Sequence, residues 1–347
     1  MVDPLPPAAD LEHAHALLAD DWERLRGSRV FLTGGTGFIG KWLLATLLDA
    51  DRRLDLRSRV TVLSRNPESF RRHAPHLAQA RGVEVVRGDV RDCVFPGGSY
   101  SHVIHAATDV AATASPLDTF DTCVEGTRRV LDFAIGASVS DFLYVSSGAV
   151  YGRQPADMAA VAEDFSGGPD TTRLSSAYGE GKRAAEWLAM AYGKLHSMRV
   201  KVARCFALIG PYMPLDGHFA AGNFLRDAID QQPITIRGDG TPQRSYLHAS
   251  DMAAWLWAIL LKAPTGGVYN VGGVEAVSIS VLANRIVELL ASSSHVEVLT
   301  PPTSGAADRY VPDVGKIRRE LSLGEPLTLD DAIRRTAAWY RHAVCAP

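Results

Sequence analysis

Between residues 29 and 206 short runs of β-branched and aliphatic residues alternate with stretches of helical periodicity, and no other feature constrains the fold as strongly. The spacing predicts strands at 30–33, 60–63, 83–87, 102–106, 142–146 and 200–206, with helices starting at Phe38, Asp118 and Ser176. Strands joined by helical crossovers pair in parallel and carry helices on both faces. The expected fold is therefore α/β: a doubly wound parallel sheet of Rossmann type, with a smaller, mostly helical C-terminal lobe.

The rhythm breaks after Phe206 into a proline- and glycine-rich stretch, 210–244, with a helical piece at 223–229. Residues 246–271, ending in Val268-Tyr269-Asn270-Val271, read as a return to the sheet, and the chain from Ser278 onward as the helical lobe. Ahead of the first strand, Leu11, Ala14, Leu18, Trp22 and Leu25 recur at helical spacing, with Asp10 suited to cap the start and Gly27 to stop the helix. Packing is its expected role.

Directly after the first strand stands Gly34-Gly35-Thr36-Gly37-Phe38-Ile39-Gly40. Glycines at such a strand-to-helix turn let the backbone approach a pyrophosphate, whose charge then rests on the helix N-terminal amides. At the end of the second strand, where an NAD-binding chain places a carboxylate for the ribose hydroxyl, the sequence has Ser64-Arg65-Asn66. An arginine there pairs with a 2′-phosphate, so NADP(H) is favoured and NAD(H) is the alternative. Asp89 and Val90, after the third strand, are placed to meet the adenine, and a turn-forming aspartate is the plainer reading. The expected division is an N-terminal helical extension (1–27), a dinucleotide-binding domain (28–206 and 244–273) and a substrate lobe (207–243 and 274–347).

Tyr178 and Lys182 lie four residues apart and so share one helix face. A phenol with a pKa of ~10 is a poor proton shuttle at neutral pH, and an ammonium one turn away favours its ionised form. Ser147 sits at the C-terminal end of a predicted strand, where open α/β sheets gather ligands. Its hydroxyl suits a reacting carbonyl oxygen.

Jointly these motifs resemble the extended short-chain dehydrogenases that use nucleotide sugars, the epimerase/dehydratase superfamily. The resemblance runs from about Arg29 to Tyr340 and adds His105-Ala106-Ala107, Val150-Tyr151-Gly152, Gly210-Pro211, Gly238-Asp239-Gly240 and Tyr269-Asn270-Val271-Gly272. It implies that Ser147, Tyr178 and Lys182 form the catalytic triad, with Lys182 also reaching the nicotinamide ribose. It further implies that Ala106 and Ala107 border the cofactor, that Arg244 and Arg309 grip a nucleotide diphosphate, and that Asn223, Phe224 and Leu225 lie beside the base or sugar. Guanidinium binds phosphate in a bidentate manner, which suits arginine to that task.

Departures from the family pattern bear on the reaction. The 4,6-dehydratases follow the catalytic hydroxyl with an Asp-Glu pair, whereas this chain has Gly148 and Ala149, which neither donate nor abstract protons. The cysteine that GDP-fucose synthases use for epimerisation also maps to Ala149. Cys123 replaces a usual helical asparagine ahead of Gly126-Thr127, and Ala207 replaces the one before Gly-Pro. What remains is hydride transfer at sugar C4, either as NADPH-dependent reduction of a 4-keto-6-deoxy sugar or as 4-epimerisation with retained NAD, and Arg65 favours the reductase. A non-catalytic scaffold is the third possibility, and such proteins commonly lose the tyrosine or lysine that are both present here.

The net charge of −3 over 347 residues offers no concentrated basic field for nucleic acid or an acidic membrane. Four scattered cysteines, Cys93, Cys123, Cys205 and Cys345, suggest neither a zinc site nor a disulfide scaffold. The longest apolar run, 252–261, is far shorter than the ~20 residues a membrane helix needs, and Met1 to Pro7 lack the features of a secretory signal. The chain is thus expected to be cytoplasmic and metal-free, a homodimer like its family.

Overall fold

A computed structural model describes residues 2–108, 115–217, 219–301, 305 and 307–345. Seven strands form its main sheet: β1 (Arg29–Thr33), β2 (Arg59–Ser64), β3 (Val83–Arg87), β4 (His102–His105), β5 (Asp141–Ser147), β6 (Arg199–Cys205) and β7 (Val268–Val271). They run in the order β7-β6-β5-β4-β1-β2-β3, and every pair is parallel. The chain winds outward from β1 to β3, then returns to lay β4 on the other side of β1. That reversal opens a crevice at the carboxyl ends of β1 and β4.

Eight helices of ten residues or more accompany the strands among the described residues: α1 (Ala8–Leu18), α2 (Phe38–Leu54), α3 (Pro116–Gly136), α4 (Ala177–His196), α5 (Ala220–Ile229), α6 (Ala249–Lys262), α7 (Ile279–Leu289) and α8 (Leu329–Cys345). Side chains of the central strands alternate between two cores. Val30, Leu32, Leu143 and Val145 join the core beneath α1, α2 and α6, while Phe31, Phe142 and Tyr144 join the one beneath α3 and α4. A third core fills the lobe, where α5, α7 and α8 pack with short strands. Three of these strands, Gln243–Ser245 between Ala276–Ser278 and Arg309–Tyr310, form a small sheet of their own.

Two expectations are corrected. Only Val268–Val271 of the 246–271 stretch joins the main sheet, because Ala249–Lys262 is the buried helix α6. Asp10 does not cap α1: Pro7 holds that position, and Asp10 lies buried in the first turn, accepting a hydrogen bond from Arg335 of α8 at 2.7 Å. The N-terminal helix is anchored from a second side by His13 and the buried Asp251 of α6, 2.7 Å apart. Leu11, Ala14, Leu18, Trp22 and Leu25 are all buried in the main core, so residues 8–25 are part of the sheet domain's packing. No described helix is long and apolar enough to cross a membrane.

Candidate active site

The glycine turn between β1 and α2 is built for close approach. Gly34 has φ +73°, and a Cβ there would stand 2.6 Å from the backbone of Ala106 at the end of β4. At Gly40 a Cβ would stand 2.2 Å from the Gly34 carbonyl, so the first turn of α2 rests directly on the loop. Behind the turn, His105 is fully enclosed, its Nδ1 2.7 Å from the Thr33 hydroxyl and its Nε2 3.0 Å from that of Thr127. Burial lowers its pKa to about 3, so the ring is neutral and ties β1, β4 and α3 together. The Thr33 hydroxyl also accepts the Ala107 N–H at 3.1 Å, which sets the backbone after β4.

A cavity of about 370 Å³ lies over this turn. Gly34, Thr36, Gly37, Ser64, Arg65, Asp89, Val90, Ala106 and Ala107 line it, as do Thr33, Arg91, Thr108, Asp118 and Thr122, which sequence reasoning missed. Its lining by the glycine turn at the N-terminus of α2 is what a pyrophosphate site requires. Gly35, Phe38, Ile39 and Gly40 stand behind the turn rather than on the cavity wall. Asn66 is engaged elsewhere: its side chain caps the short helix Pro67–His73 by accepting the Ser69 N–H at 3.0 Å. Asp89 forms a tight turn, accepting from the Arg91 N–H at 2.9 Å and from both sides of the Arg91 guanidinium. The Arg91 contact holds the Asp89 carboxyl below its usual pKa.

Ser147 ends β5, and Tyr178 and Lys182 project from the first turns of α4, which packs along α3. Lys182 is buried, donates to the Val145 carbonyl at 2.8 Å, and lies 5.9 Å from the centre of the Tyr178 ring. Burial lowers its pKa. Burial also raises the pKa of Tyr178 well above that of a free phenol, with a hydrogen bond from Ser147 opposing. Against the expected tilt toward phenolate, burial sets the direction, and the phenol holds its proton more tightly than a free one. α4 is fixed one turn further on, where the buried Glu186 accepts from Ser146 at 2.5 Å and from Arg204 of β6 at 2.7 Å.

The floor beyond Ser147 is closed by aromatic rings. A Cβ at Gly148 would meet the Phe206 ring at 2.6 Å, and that ring packs against Tyr310 at 4.5 Å and Tyr151 at 6.2 Å. Tyr310, also missed from the sequence, brings its hydroxyl to 3.3 Å from Ser147 Oγ.

The lobe residues divide. Arg244 pairs in register with Tyr310, and its guanidinium lies 5.8 Å from that ring and 2.8 Å from the Asp308 carboxylate. Arg309 is in register with Gln243 instead, so it points to the opposite face of the small sheet from Arg244. Asn223 is partly buried on α5, whereas Phe224 and Leu225 belong to the lobe core rather than to a ligand surface. Among the described residues no cluster of ligands suits a metal.

A model of the NAD dependent epimerase/dehydratase family matches residues 30–272. UDP-glucuronic acid decarboxylase 1 of Arabidopsis thaliana is 29% identical over 319 residues, spanning 91% of this chain and 70% of the relative. The dTDP-glucose 4,6-dehydratase of Streptomyces griseus is 28% identical over 323 residues, spanning 90% and 94%. Among solved structures, the dTDP-glucose 4,6-dehydratase DesIV of Streptomyces venezuelae superposes with a TM-score of 0.76 at 26% identity, covering 90% of this chain and 97% of DesIV. The glycine turn, the parallel sheet and the family match together place this chain in the NAD-dependent epimerase/dehydratase family.

Proposed function

We propose that the chain is an NADPH-dependent reductase that transfers hydride to C4 of a nucleotide-diphosphate 4-keto-6-deoxyhexose. The observation that carries this reading is the closed floor after Ser147. Dehydration needs an acid for the leaving hydroxyl and a base for the neighbouring carbon, and neither Gly148 nor Ala149 supplies one. The Phe206 ring fills the space that a side chain at position 148 would enter. Hydride transfer, which needs only Tyr178, Lys182 and Ser147, is what the site retains.

The reduced nicotinamide supplies the hydride. As it reaches C4, Tyr178 donates its proton to the developing alkoxide and Ser147 hydrogen-bonds the same oxygen. A phenol whose pKa is raised by burial is protonated beforehand, as a donor in the reductive direction must be. Lys182 holds the helix turn against β5 and would present its charge to the nicotinamide ribose. Arg244 would hold the diphosphate, whereas Arg309, turned to the opposite face of the small sheet, would not share that grip.

Arg65 and Ser64 on the cavity wall, in place of a carboxylate, support NADP(H). Arg65→Ala should weaken NADPH binding about 10- to 100-fold, the worth of a charge-assisted phosphate contact, while NADH binding stays within about twofold. Equal losses for both cofactors would remove Arg65 from the 2′-phosphate. Mass spectrometry of the native protein separates the reductase from the 4-epimerase, which shares the hydride step. An empty site that accepts NADPH supports the reductase; retained NAD supports the epimerase.

A homodimer through α3 and α4 completes the proposal. These packed helices expose Leu117, Phe120, Trp187 and Leu195, with Trp187 70% accessible. Sedimentation should give twice the 37.4 kDa chain mass, and Trp187→Glu should return it to the monomer. A wild-type monomer at micromolar concentration rules out this interface.

A further inference from the structure

Tyr310 makes contacts in two directions. Its hydroxyl lies 3.3 Å from Ser147 Oγ and 3.4 Å from the Cys205 carbonyl. Its ring carries the Arg244 guanidinium at 5.8 Å on one side and packs on Phe206 at 4.5 Å. Pairing of Arg309–Tyr310 with Gln243–Ser245 fixes the ring at the register of Arg244. We propose that Tyr310 is a positioning residue that couples the arginine site of the lobe to the hydroxyl of Ser147. This rests on the nucleotide-sugar reading given above.

The coupling follows from donor and acceptor counting. Ser147 Oγ already accepts the Ala149 N–H at 3.1 Å. The Cys205 carbonyl can only accept, so a Tyr310 hydroxyl turned toward it leaves its own oxygen to receive the Ser147 proton. Turned toward Ser147, the same hydroxyl donates, and the Ser147 proton is released toward the side of Tyr178 and the sugar oxygen. A diphosphate drawing the Arg244 guanidinium away from Asp308 moves the cation that rests against the Tyr310 ring. Occupancy of the lobe is thereby felt at the serine.

Two variants separate the two ends of the contact. Tyr310→Phe keeps the ring and removes the hydroxyl; Tyr310→Leu removes both. Single-turnover hydride transfer, followed at 340 nm, is run on 4-keto sugar nucleotides with NADPH and on UDP-glucuronic acid and dTDP-glucose with NAD, and the best pair is used. Tyr310→Phe should slow this step about 5- to 15-fold with the sugar-nucleotide concentration at half-maximal rate unchanged, the worth of one hydrogen bond. In a Ser147→Ala background it should cost nothing further, whereas a purely structural loss would persist there. Calorimetry with UDP and dTDP should show wild-type affinity for Tyr310→Phe and about 3- to 10-fold weaker binding for Tyr310→Leu. A wild-type rate in Tyr310→Phe, an additive loss with Ser147→Ala, or unchanged UDP and dTDP affinity in Tyr310→Leu each overturns the proposal. Failure of the underlying reading has its own signature: Arg244→Ala binds UDP and dTDP like wild type, or no panel sugar turns over. Where Arg244→Ala weakens UDP and dTDP binding, the calorimetric comparison of the two Tyr310 variants decides the proposal.

Discussion

Replacing Tyr178 with phenylalanine is expected to lower kcat about 10³-fold while leaving UDP and dTDP affinity within twofold, because a positioned general acid contributes roughly 10²- to 10⁴-fold. The ring stays, so the packing between α4 and β5 is preserved and only the proton is withdrawn. Tyr178→Phe with at least a tenth of wild-type turnover would remove Tyr178 from the role of acid. Since Glu186 and Lys182 hold α4 independently of the phenol, the variant should unfold at the wild-type temperature.

Gly34→Ala is the second large effect. A Cβ placed 2.6 Å from the Ala106 backbone cannot be accommodated unless the turn or the end of β4 moves, and φ +73° adds left-handed strain of roughly 1–2 kcal/mol. Misplacement by about 1 Å in a ligand cradle can cost about 10²-fold. NADPH affinity, measured by quenching of protein fluorescence, should fall by at least about that factor, with a lower unfolding temperature. Gly37→Ala is the control: its Cβ would meet only the Gly34 carbonyl at 3.5 Å, an ordinary contact, so the protein should fold normally. Equal, small losses in both variants would mean that the turn does not govern cofactor entry.

The alternation of strands and helices, the glycine turn and the Tyr178/Lys182 spacing were legible because each is a local pattern with a local cause. The misreading of 246–271 has a physical reason. In α6 residues 249–260 are all buried, so the sequence has no polar face to reveal a 3.6-residue period, and a buried helix and a buried strand look alike. Asp10 carries the residue type of a cap, but Arg335, 325 positions away, decided its partner. Tyr310 gave no local signal either. It reaches Ser147 only because Arg309–Tyr310 pairs with Gln243–Ser245, a register set by the lobe as a whole. Arg91 was closer to legible: an arginine two residues after an aspartate at a strand end is a recognisable turn pair.

The sign of the Tyr178 shift was lost for a similar reason. Sequence shows an ammonium four residues from a phenol, but not that Lys182 is buried against the Val145 carbonyl or that the phenol is desolvated. Spacing gives proximity, and burial decides which charge state proximity favours.

The central claim is that hydride moves between the nicotinamide and sugar C4 beside Tyr178. Incubation with NADPH carrying deuterium at the transferable position of nicotinamide C4, and with a dTDP- or UDP-linked 4-keto-6-deoxyhexose, tests it most directly. Mass and magnetic resonance spectra should show a single deuterium on carbon 4 of the product and none on carbons 3, 5 or 6. Label absent from C4 in a protein that binds both compounds, or, in a parallel run with unlabelled NADPH in D2O, product bearing solvent deuterium at C5, would contradict it.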